Sequence, residues 1–78
     1  MTNNTVEYLI KNIKKYRRER KLTQLRLSEL ADISCDYLSE IERGKKTPSV
    51  KRLHYIATAL GIEAYKLLLP IEYYVLDN

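Results

Sequence analysis

The stretch SCDYLSEIERG, from Ser34 to Gly44, sets three carboxylates (Asp36, Glu40, Glu42) and one thiol (Cys35) along two turns of what reads as a helix. Carboxylates at such spacing can accept hydrogen bonds or work as acid and base, and a thiol can attack an electrophile or bind a metal. Neither catalytic use finds its partners. The only histidine, His54, has no second ligand or nucleophile in view, and Cys35 is the only cysteine. No metal-spaced Cys/His set, paired catalytic carboxylates or phosphate-cradling glycine loop occurs. An enzyme is therefore not expected, nor is a cofactor, a metal or a small-molecule ligand. What remains for the acids is hydrogen bonding and electrostatics.

The charge is unevenly placed. Residues 23–43 hold two bases, Arg26 and Arg43, and five acids, a net of −3, within a chain of net charge +4. The remainder holds twelve bases and five acids, a net of +7, with seven bases between Lys11 and Lys21 and four between Lys45 and Arg52. Such asymmetry is the footprint expected of a polyanion-binding protein. The bland alternative is that these bases only solvate helix faces.

These side chains must be positioned by helices. Val6, Leu9, Ile10, Ile13 and Tyr16 recur at helical spacing, which predicts a first helix capped by Asn4 or Thr5 and running to about Arg20. Thr23 reads as the N-cap of a short second helix with Leu27, Leu30 and Ala31 inward. In ADIS, Asp32 tolerates a left-handed backbone, Ile33 turns inward and Ser34 caps the third helix, which Gly44 ends. Pro48 and Ser49 begin a fourth helix with Leu53, Ile56, Ala57 and Leu60 inward, and Gly61 stops it. A fifth, short helix is expected from about Glu63 to Leu69, ended by Pro70. The only strand-like run is EYYVL near the end. The fold class is all-α, with one domain over 1–70 and a tail over 71–78.

At 78 residues the core is marginal, because a chain this short buries only about 60% of its unfolded surface. A lone cysteine offers no internal disulfide and suits a reducing compartment. No apolar run approaches the ~18 residues of a membrane span, and the start MTNNTVEYL lacks the basic-then-apolar order of a signal peptide. A cytoplasmic location, away from membranes, is expected.

Two short helices joined by a tight turn, with apolar residues facing each other, form a helix-turn-helix. Reading from Gln24, the pattern Leu27, Ser28, Ala31, Asp32, Ile33, Leu38 and Ile41 resembles the phage repressor and Cro (Xre) family. LTQLRLSELADIS, YLSEIERG and PSVKRLHYIATALGI all match its usual wording, and the resemblance covers about residues 9–69. It implies a five-helix repressor-like DNA-binding domain whose third helix enters the major groove. By position, Cys35, Asp36, Ser39 and Glu40 would face bases. Gln24, at the start of the second helix, would clamp a phosphate, helped by backbone N–H groups. Lys45, Lys46 and Ser49 would grip flanking phosphates. Arg17 would pair structurally with Glu42, with phosphate contact as its other reading. An acid on the reading helix can accept a hydrogen bond from a cytosine amino group, and it repels wrong sequences. For Asp36 the first helical turn alone also favours a carboxylate.

Tyr37 reads as a rim packing residue, with phosphate contact through its hydroxyl as the alternative. Cys35 reads as a small contact to a thymine methyl, with redox sensing as the alternative. Lys21 and Asp32 stand where the family usually has glycine, so the first helix is expected to end differently. Ser28 can return its hydroxyl to a backbone carbonyl. Glu63 replaces a serine-type cap, predicting a weak start to the fifth helix. The apolar tail suggests either a fold-back over the first helix or, with the fifth helix, a two-fold dimer interface.

The leading expectation is a sequence-specific transcriptional regulator, a homodimer on a near-palindromic operator of its own or a neighbouring operon, without room for a ligand-sensing domain. A Glu40 or Glu42 edge is a candidate RNA polymerase contact. The rival is a protein-interaction module, of antitoxin or adaptor type, that keeps the fold without DNA readout.

Overall fold

A computed structural model describes residues 4–70. The element order is α1 (Thr5–Glu19), α2 (Gln24–Ala31), α3 (Cys35–Glu42), α4 (Val50–Leu60) and a 3-10 segment (Ala64–Leu68). The described residues contain no strand. The EYYVL run and the tail 71–78 lie outside the described residues.

Local sequence sets each helix end. Thr23, Ser34 and Ser49 have extended backbones, and each side-chain oxygen accepts a hydrogen bond from the N–H three residues on: Arg26 at 3.0 Å, Tyr37 at 3.0 Å and Arg52 at 3.2 Å. Each such cap contributes about 1 kcal/mol. Asn4 sits at the N-cap of α1 without a side-chain capping bond.

All four helices finish the same way, in a left-handed residue followed by a six-to-one backbone bond. These bonds are Leu22 N–H to Arg17 O at 3.0 Å, Ile33 to Ser28 at 3.0 Å, Lys45 to Glu40 at 2.8 Å and Ile62 to Ala57 at 3.0 Å. The left-handed residues are Lys21 (φ 57°), Asp32 (φ 56°), Gly44 (φ 78°) and Gly61 (φ 73°). The expectation that α1 ends differently for want of glycine is thus corrected. Lys21 adopts the glycine conformation itself, and the two backbone bonds it closes compensate its steric cost.

The core is one cluster. Leu27 and Ala31 of α2 meet Leu38 and Ile41 of α3, Ile56, Ala57 and Leu60 of α4, Leu9, Ile13 and Tyr16 of α1, and Leu67. Two expected inward residues are not inward. Leu30 is 47% exposed, because the buried face of α2 is Leu27, Ser28 and Ala31 and Leu30 lies off that arc. Val6, in the first turn of α1, is 45% exposed. Ser28 sits where α2 packs closely, its hydroxyl donating to Leu25 O at 2.6 Å.

The expected fifth α-helix is a five-residue 3-10 segment instead. Glu63 provides no side-chain cap there, and five residues cannot offset the cost of nucleating an α-helix. The segment is fastened from outside. Fully buried Asn12, in the middle of α1, donates from Nδ2 to the carbonyls of Leu67 (3.0 Å) and Leu69 (2.7 Å), with Lys66 O at 3.3 Å.

Candidate nucleic-acid interface

The helix-turn-helix comprises α2, the turn at Asp32–Ser34, and α3. On α3, Leu38, Ile41 and Glu42 are buried. Asp36, Ser39, Glu40 and Arg43 project from the opposite side, with Cys35 at its edge; Asp36 and Arg43 are exposed, and Cys35, Ser39 and Glu40 are half-buried. The four residues expected to face bases therefore share one side of one helix. Arg43 completes that side and went unassigned in the sequence, although its spacing from Asp36 and Ser39 (i+7 and i+4) placed it there.

Of the three acids in the opening stretch, one is internal. The Glu42 carboxylate is 3% exposed and accepts Arg17 Nε at 2.8 Å and Nη2 at 3.0 Å. It also accepts Gln24 Nε2 at 3.0 Å. Arg17 Nη1 donates to Leu22 O at 2.9 Å. One ion pair thus joins α1, the α1–α2 turn, the first residue of α2 and the end of α3, fixing the angle at which α3 is presented. The burial of Glu42 also corrects one expectation: Glu42 forms no surface edge for a polymerase to touch. Gln24, expected at a phosphate, directs one amide N–H at Glu42 and sits at the N-terminus of α2, where peptide N–H groups favour anions.

A loop of exposed bases follows α3. Lys45 and Lys46 are exposed, and Lys46 Nζ lies 3.6 Å from Glu40 Oε1. Lys46 Nζ is also 5.8 Å from the centre of the Tyr37 ring, and the Arg52 guanidinium carbon is 5.6 Å from it. Both distances are within cation–π range. Tyr37, half-buried and packed against the core cluster, thus carries two cations beside α3. Ser49 Oγ accepts the α4 capping bond and keeps its own O–H for another acceptor. An open cleft of about 380 Å³ separates α3 from the start of α4, with Asp36, Tyr37, Glu40, Lys46 and Arg52 in its walls. Arg52, counted among the bases but given no role in the sequence, belongs to this constellation.

His54 is exposed on α4. Among the described residues no group of three His, Cys, Asp or Glu side chains gathers to hold a metal ion. No helix among them is long and apolar enough to cross a membrane.

A family described as helix-turn-helix domain matches residues 10–70. The chain is 51% identical over 51 residues to the immunity repressor protein of Bacillus phage phi105; the match covers 65% of this chain, which spans only 35% of that relative's length. Among solved structures, a hypothetical transcription factor, NHTF, from Neisseria superposes with a TM-score of 0.88 at 26% identity, covering 95% of this chain and 85% of that one. The biofilm master regulator SinR, solved in complex with DNA, superposes with a TM-score of 0.75 at 32% identity, covering 78% of this chain and 98% of that one.

Proposed function

This chain belongs to the helix-turn-helix family of DNA-binding transcription regulators, in its repressor/Cro (Xre) branch, and on that premise we propose that it binds a near-palindromic operator as a homodimer and regulates its own or a neighbouring operon. In this reading α3 lies in the major groove. Its N-terminal part presents Cys35, Asp36, Ser39 and Glu40 to base edges, and a carboxylate there accepts a hydrogen bond from a cytosine amino group. Gln24 with the N-terminus of α2, Lys45, Lys46 and Ser49 hold phosphates. Arg43, at the far end of the same side of α3, and Arg52, beside Tyr37, join them. Arg17 acts first as the internal partner of Glu42.

One observation carries the reading. The outward side of α3 holds only polar and charged groups plus one thiol, while the acid most out of place on it, Glu42, is turned inward onto Arg17. The reading helix therefore shows DNA two carboxylates rather than three, next to bases at Arg43, Lys45, Lys46 and Arg52. Phosphate contacts supply affinity irrespective of sequence, and each good base contact adds about 1–3 kcal/mol of discrimination. Acids on α3 therefore lower affinity for random DNA and leave a larger share of binding to the correct bases. Dimerisation supplies the second half-site, since one such motif spans few base pairs. Tyr65 in the 3-10 segment is 58% exposed, which suits an interface formed at this end of the domain.

The test is binding of the purified protein to duplex DNA from immediately upstream of its gene and to random duplex, at two salt concentrations. Strong preference for the upstream DNA supports the reading. Weak, equal and salt-sensitive binding to both refutes it and favours the rival interaction module, for which the acidity of Asp36 and Glu40 is the supporting observation.

A further inference from the structure

Lys46 holds two positions that conflict. It belongs to the basic loop that would grip phosphate, yet its ammonium lies 3.6 Å from the Glu40 carboxylate and over the Tyr37 ring. Glu40 conversely stands on the base-facing side of α3 with its charge already partnered. Neither side chain is locked: Lys46 is 52% exposed and Glu40 31%. An ion pair so exposed is weak, so opening it shifts an equilibrium roughly fivefold at most. Asp36, one turn earlier on the same side, has no such cation: the ion pairs among the described residues do not include it.

We propose that Glu40 and Lys46 form a latch that couples base reading to phosphate gripping. The inference rests on α3 being the helix that meets DNA. On a wrong sequence Glu40 finds no amino group, and a bare carboxylate among phosphates is strongly unfavourable. Lys46 therefore stays on Glu40, and the pair contributes no net charge to the backbone contact. On the right sequence a base amino group takes over the carboxylate, and Lys46 swings out to a phosphate. The correct base pair thus yields two contacts, its own hydrogen bond and one released lysine. Lys46 is a specificity-determining residue although it touches no base. Tyr37 provides the resting place that keeps the lysine beside the helix while the latch is closed.

The coupling is tested on random duplex by a salt series with the full chain and five variants: Glu40→Gln, Lys46→Ala, their double variant, Asp36→Asn, and Asp36→Asn with Lys46→Ala. Removing an acid near DNA raises affinity in any case, so the informative quantity is its dependence on Lys46. Glu40→Gln should raise random-duplex affinity by up to about fivefold more with Lys46 present than in the Lys46→Ala background, and steepen the log–log salt slope by up to about 0.9, the value of one added phosphate contact. In the Lys46→Ala background that steepening should vanish, whereas the gain from Asp36→Asn should persist. The same steepening with and without Lys46 overturns the latch. A second arm compares random duplex with the best-bound sequence, where the wild-type slope should be steeper by about 0.9 and Lys46→Ala should erase the difference. If no sequence is preferred over random duplex, the operator reading fails while the random-duplex arm still decides the latch. Failure to bind any duplex overturns both.

Discussion

Replacing Glu42 with alanine should be among the most damaging changes possible on α3, although the residue faces no ligand. The carboxylate is 3% exposed and receives three hydrogen bonds, two from Arg17 and one from Gln24, while the Arg17 side chain is itself only 12% exposed. In Glu42→Ala the guanidinium stays buried with a single charge-blind partner, Leu22 O. Stranding one member of a buried pair costs about 3–5 kcal/mol. Against a total stability of about 5–15 kcal/mol, that is a large fraction. With about 4–8 °C per kcal/mol for a domain of this size, Tm should fall by roughly 12–40 °C. The loss comes from the stranded charge rather than from missing attraction, so Arg17→Met combined with Glu42→Leu should lie within about 1.5 kcal/mol of wild type. Urea unfolding followed by far-ultraviolet circular dichroism measures both, with unchanged m-values confirming that the states compared are the same. A Glu42→Ala loss below about 1 kcal/mol would show that the pair is no structural joint. A double variant as unstable as the single one would refute the stranded-charge argument.

Other consequences can be checked on single substitutions. Asn12→Ala removes the amide that holds the Leu67 and Leu69 carbonyls, and should cost about 2–4 kcal/mol and speed hydrogen exchange at the Lys66 amide; Asn12→Asp should be worse, since its carboxylate would oppose those carbonyls. Lys21→Gly should stabilise by about 0.5–1 kcal/mol in chemical denaturation, because glycine adopts the positive φ without strain, and Lys21→Ala should bring no gain. Arg43→Ala should weaken binding to all duplexes alike and flatten the salt slope by about 0.9, as for a phosphate contact. A change in which base is preferred would move Arg43 into the base-reading set.

What the sequence made legible was local. Thr23 and Ser34 as caps, and Asp32 in a left-handed turn, follow from chemistry within three or four residues, and the structure has each; Ser49, expected with Pro48 to begin α4, is instead its N-cap. The base-facing set of Cys35, Asp36, Ser39 and Glu40 came from the family resemblance, and the structure gathers these residues on one side of α3 with Cys35 at its edge. Features set by distant parts of the chain were not legible. Leu30 looked like core by its type, but the arc of α2 that packs excludes it. The weak start at Glu63 was readable locally, but the fastening of the 3-10 segment by Asn12, more than fifty residues earlier, was not. Asn12 was itself one polar residue beside an apolar stripe, with nothing nearby to show that it is buried. The Glu40–Lys46 pair needed the path of the loop after Gly44, which residue types alone do not fix.

The central claim is that α3 reads sequence, and selection from a pool of randomised duplexes tests it most directly. Repeated rounds of binding to the intact protein should enrich one short motif in two inverted copies, centred about one helical turn apart. Glu40→Gln should change the base preferred at one position of each copy. A pool that stays random after selection, with the protein folded and its duplex binding governed only by salt, would contradict the account.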